Sequence, residues 1–425
     1  MLQSSLNECQ RGEILDAISQ TVKKRFYDPH LPHKEWDAAL ESHRSEIVNA
    51  PSDETFEAGV TNLLAVLKSS HIGFYHSALT RCTGKMAICA VYTALSVEDG
   101  SRWVFQDVHE GGPAAEAGIR SGDALIAVDG RPFRPPHHPF FAIGSTAAIE
   151  VATRGGQHVT HRVSIPLIKV KRNQLPKIEP SPIVSARRVS QSVGYVKIAS
   201  YPGEIGVDIA NDISRALQSL DPIERLVIDL RGNTGGGIGV LRVMSLLTPH
   251  RLVVGNYVNG MMNSRQDIPD GSFVLNRIPA TKLGLLPLAL RFFTRFFASK
   301  LTRRKMPITV VTEESGPQPF QKRVVLLVNQ HTTSANEMLI AFAREHKLAT
   351  IVGEPTPGRV LGGSKFKLPH GYRLALPVGS YRTTDGNPIE GQPIMPDIEV
   401  PFNFQEAREG RDTQLETAIH VVNQL

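Results

Sequence analysis

The first 82 residues carry apolar positions at helical spacing. The stretches ILDAISQTVKKRF and FEAGVTNLLAVLKSS have apolar residues at i, i+3, i+4 and i+7, and this period predicts amphipathic helices. Pro29, Pro32 and Pro51 punctuate the region. Residues 1–82 are therefore predicted to form an N-terminal helical domain, in which the segment SSHIGFYH after the second long helix begins a loop or a strand.

Residues 83–170 change to the two-residue period of β-strands. The stretches WVFQDV, DALIAVDG and HVTHRVSIPL alternate apolar and polar side chains, which predicts a mainly-β domain. The segment GGPAAEAGIRSGDALIAVDGRP contains a short helix that stops at Gly118 and a strand that ends in an Asp-Gly turn. Residues 171–190 then hold three prolines and several basic residues, and they are predicted to be a surface linker.

Residues 191–425 alternate short apolar runs with amphipathic stretches. Runs such as LVIDL, RVVLLVN and ATIVGE are nearly all apolar, and helical patterns such as IGVDIANDISRALQSL and ANEMLIAFAREH separate them. Strands that are buried on both faces and joined by helices form parallel sheets. The sequence therefore predicts an α/β fold with a largely parallel, buried sheet, preceded by the helical region and the mainly-β domain.

One segment of this region, residues 282–305, is apolar with Arg and Lys interleaved. Two interpretations stay open. The favoured one is an inserted amphipathic helix that packs on the core, and the other is a basic helix that contacts an anionic membrane surface. In either case the predicted buried face consists of Phe292, Phe293, Phe296 and Phe297.

Composition narrows the classes of function. Hydrophobic residues make up 41% and charged residues 21% of the chain, which is typical of globular proteins and excludes wholesale disorder. The 47 Lys and Arg against 41 Asp and Glu leave a net charge of +6 on 425 residues. This charge is too weak for the dense basic surface of a nucleic-acid-binding protein, so no nucleic-acid partner is expected.

The cysteines and the apolar runs bear on the compartment. Cys9, Cys82 and Cys89 are odd in number and have no CxxC spacing, so neither a disulfide framework nor a structural zinc site is expected. The sequence has no run of about 18 apolar residues. The first thirty residues lack the pattern of a signal peptide. The expected location is the cytoplasm, with the periplasm or export as the alternative if the start is wrongly assigned.

A glycine-rich turn, RGNTGGGIG, follows the buried strand LVIDL. Such a turn at the carboxyl end of a strand can point backbone N–H groups at a ligand. The phosphate-binding spacings GxGxxG and GxxxxGK[ST] are absent, so an oxyanion hole at Gly235 or Gly236 is the favoured functional interpretation. The structural alternative is a simple tight turn.

Ser334 lies where the strand RVVLLVN turns into the helix ANEMLIAFAREH. A hydroxyl group at a helix N-terminus lies in a positive potential that stabilises developing negative charge. Ser334 and Glu337 also match the S-x-x-E capping box. From spacing alone, a capping role is favoured over a catalytic one.

A serine nucleophile needs a general base, and the base is usually oriented by a carboxylate. His71, next to Ser70, is a candidate base, and Glu390 is one of many candidate carboxylates, so the pattern alone selects neither. Two histidine pairs lack the further clustered ligands of a metal site, and no metal or other cofactor is expected: His71 with His76, and His137 with His138.

Taken in chain order, these motifs resemble one known family. The order is a helical start followed by GGPAAEAGIRSGDALIAVDG, DLRGNTGGG, VNQHTTSANE, GEPTPGR and IEGQPIMPDIEV. It is similar to the carboxy-terminal processing (tail-specific) serine peptidases, a group that includes the tricorn core protease. The stretch Gly111–Pro132 resembles the PDZ domain inserted in such enzymes. The resemblance implies a crotonase-like ββα core and a peptidase that acts on polypeptides.

The resemblance also implies roles for single residues. Ser334 would be the nucleophile, and the N–H groups of the glycine turn and of Ala335 would be the oxyanion donors. Many members use a Ser-Lys dyad, but in GEPTPGRVLGG the lysine position holds Arg359, and Gly363 stands about where the supporting glutamine falls. Because a guanidinium stays protonated up to about pH 12, it cannot act as a general base.

The tricorn-like branch uses a different base. It takes a histidine from an S-H motif and a glutamate from an E-G-x-x-x-x-P-D segment, which correspond here to Ser70-His71 and to Glu390. The resemblance therefore implies His71 as the base, with Ser70 and Glu390 holding or polarising it. Arg359 and Gly358 would then be substrate-binding or structural residues.

Two hypotheses of function follow. The first is a serine endopeptidase for unfolded or C-terminally recognised polypeptides, in which the PDZ domain binds a free C-terminus by adding the peptide to a strand edge. The alternative is a catalytically inactive, PDZ-containing peptide-binding scaffold, which the arginine at the lysine position motivates. Homo-oligomer formation is left open.

Overall fold

The structure is a computed structural model that describes residues 6–30, 32–78, 81–97, 100–153, 155–169, 176–261, 272–302, 306–313, 320 and 322–425. Residues 171–175 of the predicted linker and 303–305 of the predicted basic segment lie outside the described residues. The described chain is a mixed α/β protein with helices at its N-terminal end, which confirms the predicted fold class.

The bounds of the helices are as follows: α1 Glu8–Arg25, α2 Pro32–Val48, α3 Asp53–Ala65, α4 Gly84–Ala87, α5 Pro113–Glu116, α6 Val207–Gln218, α7 Leu241–Leu246, α8 Leu285–Leu301, α9 Ala335–Glu345, α10 Phe404–Arg408 and α11 Thr413–Gln424. The bounds of the strands are β1 Gly73–His76, β2 Arg81–Thr83, β3 Ala90–Val97, β4 Gly100–Val108, β5 Ala124–Val128, β6 Arg131–Pro132, β7 Phe140–Ala142, β8 Thr146–Ala152, β9 His158–Ser164, β10 Val184–Arg188, β11 Val193–Ile198, β12 Arg225–Asp229, β13 Val253–Asn259, β14 Phe273–Leu275, β15 Ile308–Val311, β16 Arg323–Val328, β17 Thr350–Gly353, β18 Leu361–Lys367, β19 Tyr372–Thr383 and β20 Ile398–Glu399.

The N-terminal helices are packed on the core rather than set apart from it. Their buried side chains, such as Trp36 and Phe56, form one cluster with Leu374 and Leu376 of β19. Strand β1 then pairs with β19 in antiparallel register. The loop between α3 and β1 is thereby fixed against the core, and this loop contains the Ser-His motif.

The mainly-β domain is a sheet with the strand order β3-β4-β5-β8-β9, with β6 paired to β5. Its core contains Ile88, Phe105, Leu125 and Ile149. Strand β3 forms one edge of this sheet. An edge strand offers unpaired backbone groups to an extended peptide.

The first core sheet has the order β10-β11-β12-β16-β17-β20. All neighbours except β10 and β11 are parallel, as the apolar runs predicted. The prediction that residues 171–190 form a surface linker is wrong for their C-terminal part. Val184–Arg188 is β10, an edge strand of this sheet. Ile178 is buried in the core of the mainly-β domain. The prolines and basic residues around it hid this pairing, because the strand forms by pairing with β11, the next strand along the chain, and its own composition is not strand-like.

A second core sheet is mainly antiparallel and has the order β1-β19-β13-β15-β14, with β18 also paired to β19. The sequence pattern did not separate it from the parallel sheet. The loops at the ends of both sheets bring together segments that are far apart in sequence, and the candidate site lies among these loops.

Residues 285–301 form α8, but the predicted burial of its four phenylalanines is wrong. Phe293 and Phe297 are 53% and 65% exposed, whereas Phe292 and Phe296 are half-buried. No side chain of this helix is fully buried. Among the helices of the described residues, none combines the length and the apolar character needed to cross a bilayer.

Candidate active site

Ser334 occupies a strained turn between β16 and α9. Its φ is +61°, in the left-handed region that residues with a Cβ atom seldom adopt. The N–H of Ser334 donates to Oε2 of Glu337 at 2.9 Å, which forms one half of the predicted capping box. The residue therefore begins the helix, and the same turn directs its hydroxyl group out of the helix toward a histidine.

That histidine is His71, from the loop between α3 and β1. Its Nε2 lies 3.5 Å from the hydroxyl oxygen of Ser334. Its Nδ1 lies 2.7 Å from the hydroxyl oxygen of Ser70. The Ser70 hydroxyl donates in turn to Oε2 of Glu390 at 2.8 Å. Four side chains from three separate regions of the sequence thus form a continuous hydrogen-bonding relay, whose loosest contact is the one to Ser334; such contacts are often long in unliganded sites.

Glu390 is fixed in the relay by backbone donors as well. Its Oε1 accepts the N–H of Ser70 at 2.8 Å, and its Oε2 accepts the N–H of Val360 at 2.9 Å. Because the carboxylate only accepts, the Ser70 hydroxyl must donate to it and offer a lone pair to His71. This arrangement requires a proton on Nδ1 of His71 and leaves the lone pair of Nε2 facing Ser334.

The pKa of His71 is lowered from its ordinary value. Burial is the main cause, since it disfavours the imidazolium. The negative charge of Glu390 opposes the shift, and the positive charge of Arg359 adds to it. The imidazole is therefore neutral at pH 7, which is the form that can accept a proton from a serine.

The glycine turn after β12 lies directly against the nucleophile turn. A Cβ atom on Gly235 would lie 2.7 Å from Cβ of Ser334 and 2.8 Å from the carbonyl oxygen of Thr333, so only glycine fits. The N–H of Gly235 donates to Oδ1 of Asn233 at 2.9 Å and is already used. Among the described residues, no acceptor is bonded to the N–H of Gly236 or to that of Ala335.

Glu337 ties a second segment to the nucleophile turn. It is fully buried, and its Oε1 accepts from the hydroxyl of Thr356 at 2.8 Å and from the N–H of Gly358 at 2.6 Å. Its Oε2 accepts from the N–H of Arg359 at 2.8 Å. Burial raises the pKa of Glu337, and these donors oppose that shift. In the sequence, the S-x-x-E pattern marks this residue only as part of a helix cap.

A buried ion network supports the strand that carries the glycine turn. Arg231 contacts Asp229 at 2.8 Å and Asp412 of the C-terminal region at 2.7 Å. Burial alone would raise the pKa of Asp229, but Arg231 and Lys197 hold it well below its usual range. No sequence pattern marked this network, because Asp412 lies 181 positions from Arg231.

The mainly-β domain touches both turns of the site. Oδ2 of Asp107, at the end of β4, accepts from Nδ2 of Asn329 at 2.6 Å. Oδ1 of Asn329 accepts the N–H groups of Gly232 and His331, both at 3.1 Å. Asn329 therefore links the glycine turn, the nucleophile turn and the inserted domain through one side chain. Sequence analysis missed it, because an isolated asparagine at a strand end carries no distinctive signal.

The other histidines that were considered for a metal site lie away from the relay. His76 contacts the carbonyl oxygen of His370 at 3.1 Å, and His138 stacks on Trp103 with ring centroids 4.2 Å apart. Within the described residues, no group of three or more His, Cys, Asp and Glu side chains could hold a metal ion. Arg359 is exposed next to the relay.

Comparisons with known proteins agree with this fold and site. The sequence matches the Peptidase S41 family over residues 192–400 and a PDZ domain over residues 104–146. The carboxyl-terminal-processing protease of Synechocystis sp. is 23% identical to it over 444 residues, which cover 99% of this chain and 88% of the relative. A putative tricorn protease homolog of Streptomyces coelicolor is 24% identical and aligns with 96% of this chain, which spans only 32% of that longer protein.

Solved structures show the same fold. The photosystem II D1 C-terminal processing protease has a TM-score of 0.56 at 18% identity, and mature CPAF in complex with lactacystin has 0.59 at 16% identity. In both cases the match covers 97% of each chain. The match to the Peptidase S41 model and the carboxyl-terminal-processing relatives identify the protein as a serine-type peptidase, and the second match identifies an inserted PDZ domain. Both findings agree with the resemblance of its motifs.

Proposed function

We propose that this protein is a serine endopeptidase in which Ser334 is the nucleophile and His71 is the general base. The relay from Glu390 through Ser70 and His71 to Ser334 carries the proposal. Its distances of 2.8, 2.7 and 3.5 Å connect four side chains with compatible donors and acceptors. A structural capping role for Ser334 would not require any of the other three.

The proposed reaction begins with attack on a peptide carbonyl. Ser334 loses its proton to Nε2 of His71 as its oxygen bonds to the carbonyl carbon. The N–H groups of Gly236 and Ala335 receive the developing oxyanion, each contributing about 3–4 kcal/mol as in comparable sites. His71 then gives its proton to the leaving amine. Water releases the acyl group from Ser334, with His71 again acting as base.

Arg359 stands where a Ser-Lys dyad would have its lysine, so we infer that this chain does not use that dyad. Its guanidinium cannot accept a proton near neutral pH, and its charge lowers the pKa of His71 instead. Its backbone and that of Gly358 are fixed by Glu337 beside the site. We therefore infer that the Arg359 side chain contacts the substrate, since it is exposed at the relay.

Substrate delivery is proposed to involve the PDZ domain. Its edge strand β3 can accept an extended peptide as an added strand. The hydroxyl oxygen of Thr93 in this strand accepts a hydrogen bond of 2.8 Å from the side chain of Gln330. Gln330 precedes the nucleophile Ser334 by four residues. An extended polypeptide bound by its C-terminus along β3 would thus lie close to the catalytic turn. Cytoplasmic location and oligomer formation stay predictions.

The test is labelling with a fluorophosphonate probe together with cleavage of an unstructured peptide. The parent is expected to react with the probe, and Ser334→Ala is expected to lose both labelling and cleavage. Thr333→Ser, which keeps the nucleophile, is the matched control. Peptide binding without any labelling of the parent would instead support the inactive scaffold, and cleavage by Ser334→Ala at the parent rate would exclude Ser334.

A further inference from the structure

The outward face of α8 carries a continuous stripe of exposed apolar side chains. They are Leu286, Leu290, Phe293, Phe297 and Leu301, exposed by between 53% and 88%. They recur at intervals of three and four residues, so at 3.6 residues per turn they fall within an arc of about 80°. Single exposed apolar residues are common, but a stripe along a whole helix marks an interaction surface.

A different face of the helix attaches it to the protein. Leu288, Phe292 and Phe296 are half-buried, and the ring of Phe292 packs edge-on against Phe273 of β14 with centroids 5.3 Å apart. Packing of the helix on the core therefore accounts for the inward side chains only. Nothing among the described residues covers the outward stripe.

The charge around the stripe has one sign. Between Gly271 and Thr312 the sequence contains no Asp or Glu. The described basic residues of this segment are Arg277, Lys282, Arg291, Arg295 and Lys300. Lys282 pairs with Asp208 at 2.7 Å, but both side chains are about 70% exposed, and such pairs are weak. A cleft of about 430 Å³ at the foot of the helix is lined by both Arg277 and Arg291.

We propose that α8 docks on the surface of a lipid bilayer that contains anionic lipids, with its axis in the plane of the interface. The apolar stripe would enter the boundary between headgroups and acyl chains, and the Lys and Arg side chains of the segment would contact lipid phosphates. A second copy of the chain fits less well. Pairing through the stripe would bring two equally basic helices together with no carboxylate in the segment to offset the repulsion.

The experiment is co-sedimentation of the full chain with vesicles. Vesicles of phosphatidylcholine alone are compared with vesicles that hold phosphatidylcholine and phosphatidylserine at about 2:1, each at low and high salt. One variant removes the stripe, Phe293→Ser with Phe297→Ser, and another reverses charge, Arg295→Glu with Lys300→Glu. The matched control, Arg162→Glu with Lys169→Glu, makes the same change in net charge at two exposed residues of the PDZ domain.

The parent is expected to pellet with the anionic vesicles, less at high salt, and not with the neutral ones. Each basic side chain at an anionic membrane surface changes the partition coefficient onto the vesicles by about fivefold. The charge-reversal variant loses two such side chains, so it should bind at least about 25-fold more weakly. The stripe variant should also lose binding. The control should bind like the parent. Unchanged fluorophosphonate labelling of all variants would show that they fold, independently of the membrane result.

Four results would overturn the proposal. One is the absence of pelleting by the parent with anionic vesicles. Another is binding that both α8 variants retain, since the stripe and its charges would then play no part. Equal loss of binding by the control would also overturn it, because binding would then reflect net charge alone. The last is a dimer, detected by sedimentation velocity, that the stripe variant abolishes while vesicles have no effect, which would assign the stripe to a second copy of the chain.

Discussion

Ser70 is the link whose removal tests the relay most directly. Its hydroxyl group makes the 2.7 Å contact with Nδ1 of His71 and the 2.8 Å hydrogen bond to Glu390. Ser70→Ala deletes both contacts, adds no atom, and keeps the backbone N–H that Glu390 Oε1 accepts. The imidazole then lacks the partner that fixes its proton on Nδ1, and the developing imidazolium loses an acceptor.

The magnitude follows from the bond that is lost. A hydrogen bond to a charged group contributes about 1.5–3 kcal/mol, which corresponds to about 10- to 150-fold in rate. Loss of the correct tautomer adds to this, with an upper limit of about 10⁴-fold in comparable triads. We therefore expect kcat/KM of Ser70→Ala to fall by about 100-fold for an unstructured peptide, while KM changes little.

The assay is a double-mutant cycle with Glu390→Gln. If Glu390 acts on the base mainly through the Ser70 hydroxyl, the two changes together should cost little more than the larger single one. A second signature is pH. Since Glu390 raises the pKa of His71, Glu390→Gln should lower it, and because neutral imidazole is the active form, the acid limb of the rate profile should move to lower pH.

Ser69→Ala serves as the control, because the Ser69 hydroxyl donates at 3.4 Å to the backbone carbonyl oxygen of Ser70 and not to a side chain of the relay. It should keep the parent rate. The relay mechanism is refuted if Ser70→Ala retains more than about half of the parent kcat/KM. It is also refuted if the losses in kcat/KM caused by Ser70→Ala and by Glu390→Gln simply multiply in the double variant, as those of independent changes do.

Three further predictions concern the surroundings of the relay. Arg359→Ala removes a charge that lowers the pKa of His71, so the acid limb of kcat/KM, which reports the free enzyme, should move to higher pH. A shift to lower pH would contradict this electrostatic effect. Asp107→Asn weakens the charge-assisted hydrogen bond between the PDZ domain and the core. Fluorophosphonate labelling should slow by about tenfold, while the temperature of thermal unfolding should be nearly unchanged. An unaltered labelling rate would show that this contact does not position the turns. Gly235→Ala should reduce labelling by at least about 100-fold, because the new Cβ meets the nucleophile turn. Gly130→Ala, at a similar positive φ in open space, should cost only stability, which differential scanning fluorimetry measures beside the labelling rate.

The structure departs from the expectation at Val184–Arg188, and it gives Asn329 a role that no sequence pattern marked. The first segment was predicted to be a linker because prolines and basic residues dominate its neighbourhood, yet it pairs with β11. Strand formation of this kind depends on a partner edge, which local composition does not encode. Asn329 gave no signal because its importance comes from three contacts to residues about 2, 97 and 222 positions away.

The sequence by itself determined the class of fold, the family and the residue types that are available for chemistry. Helical and strand periods are local properties, and the motifs around Ser334, His71 and Glu390 occur in short contiguous segments. Only the tertiary structure decided that these segments meet, that the Gly235 N–H is already bonded, and that α8 leaves its apolar stripe exposed. The physical reason is that contact, burial and the satisfaction of hydrogen bonds depend on distances between remote parts of the chain, which are set when the two sheets and the N-terminal helices pack together.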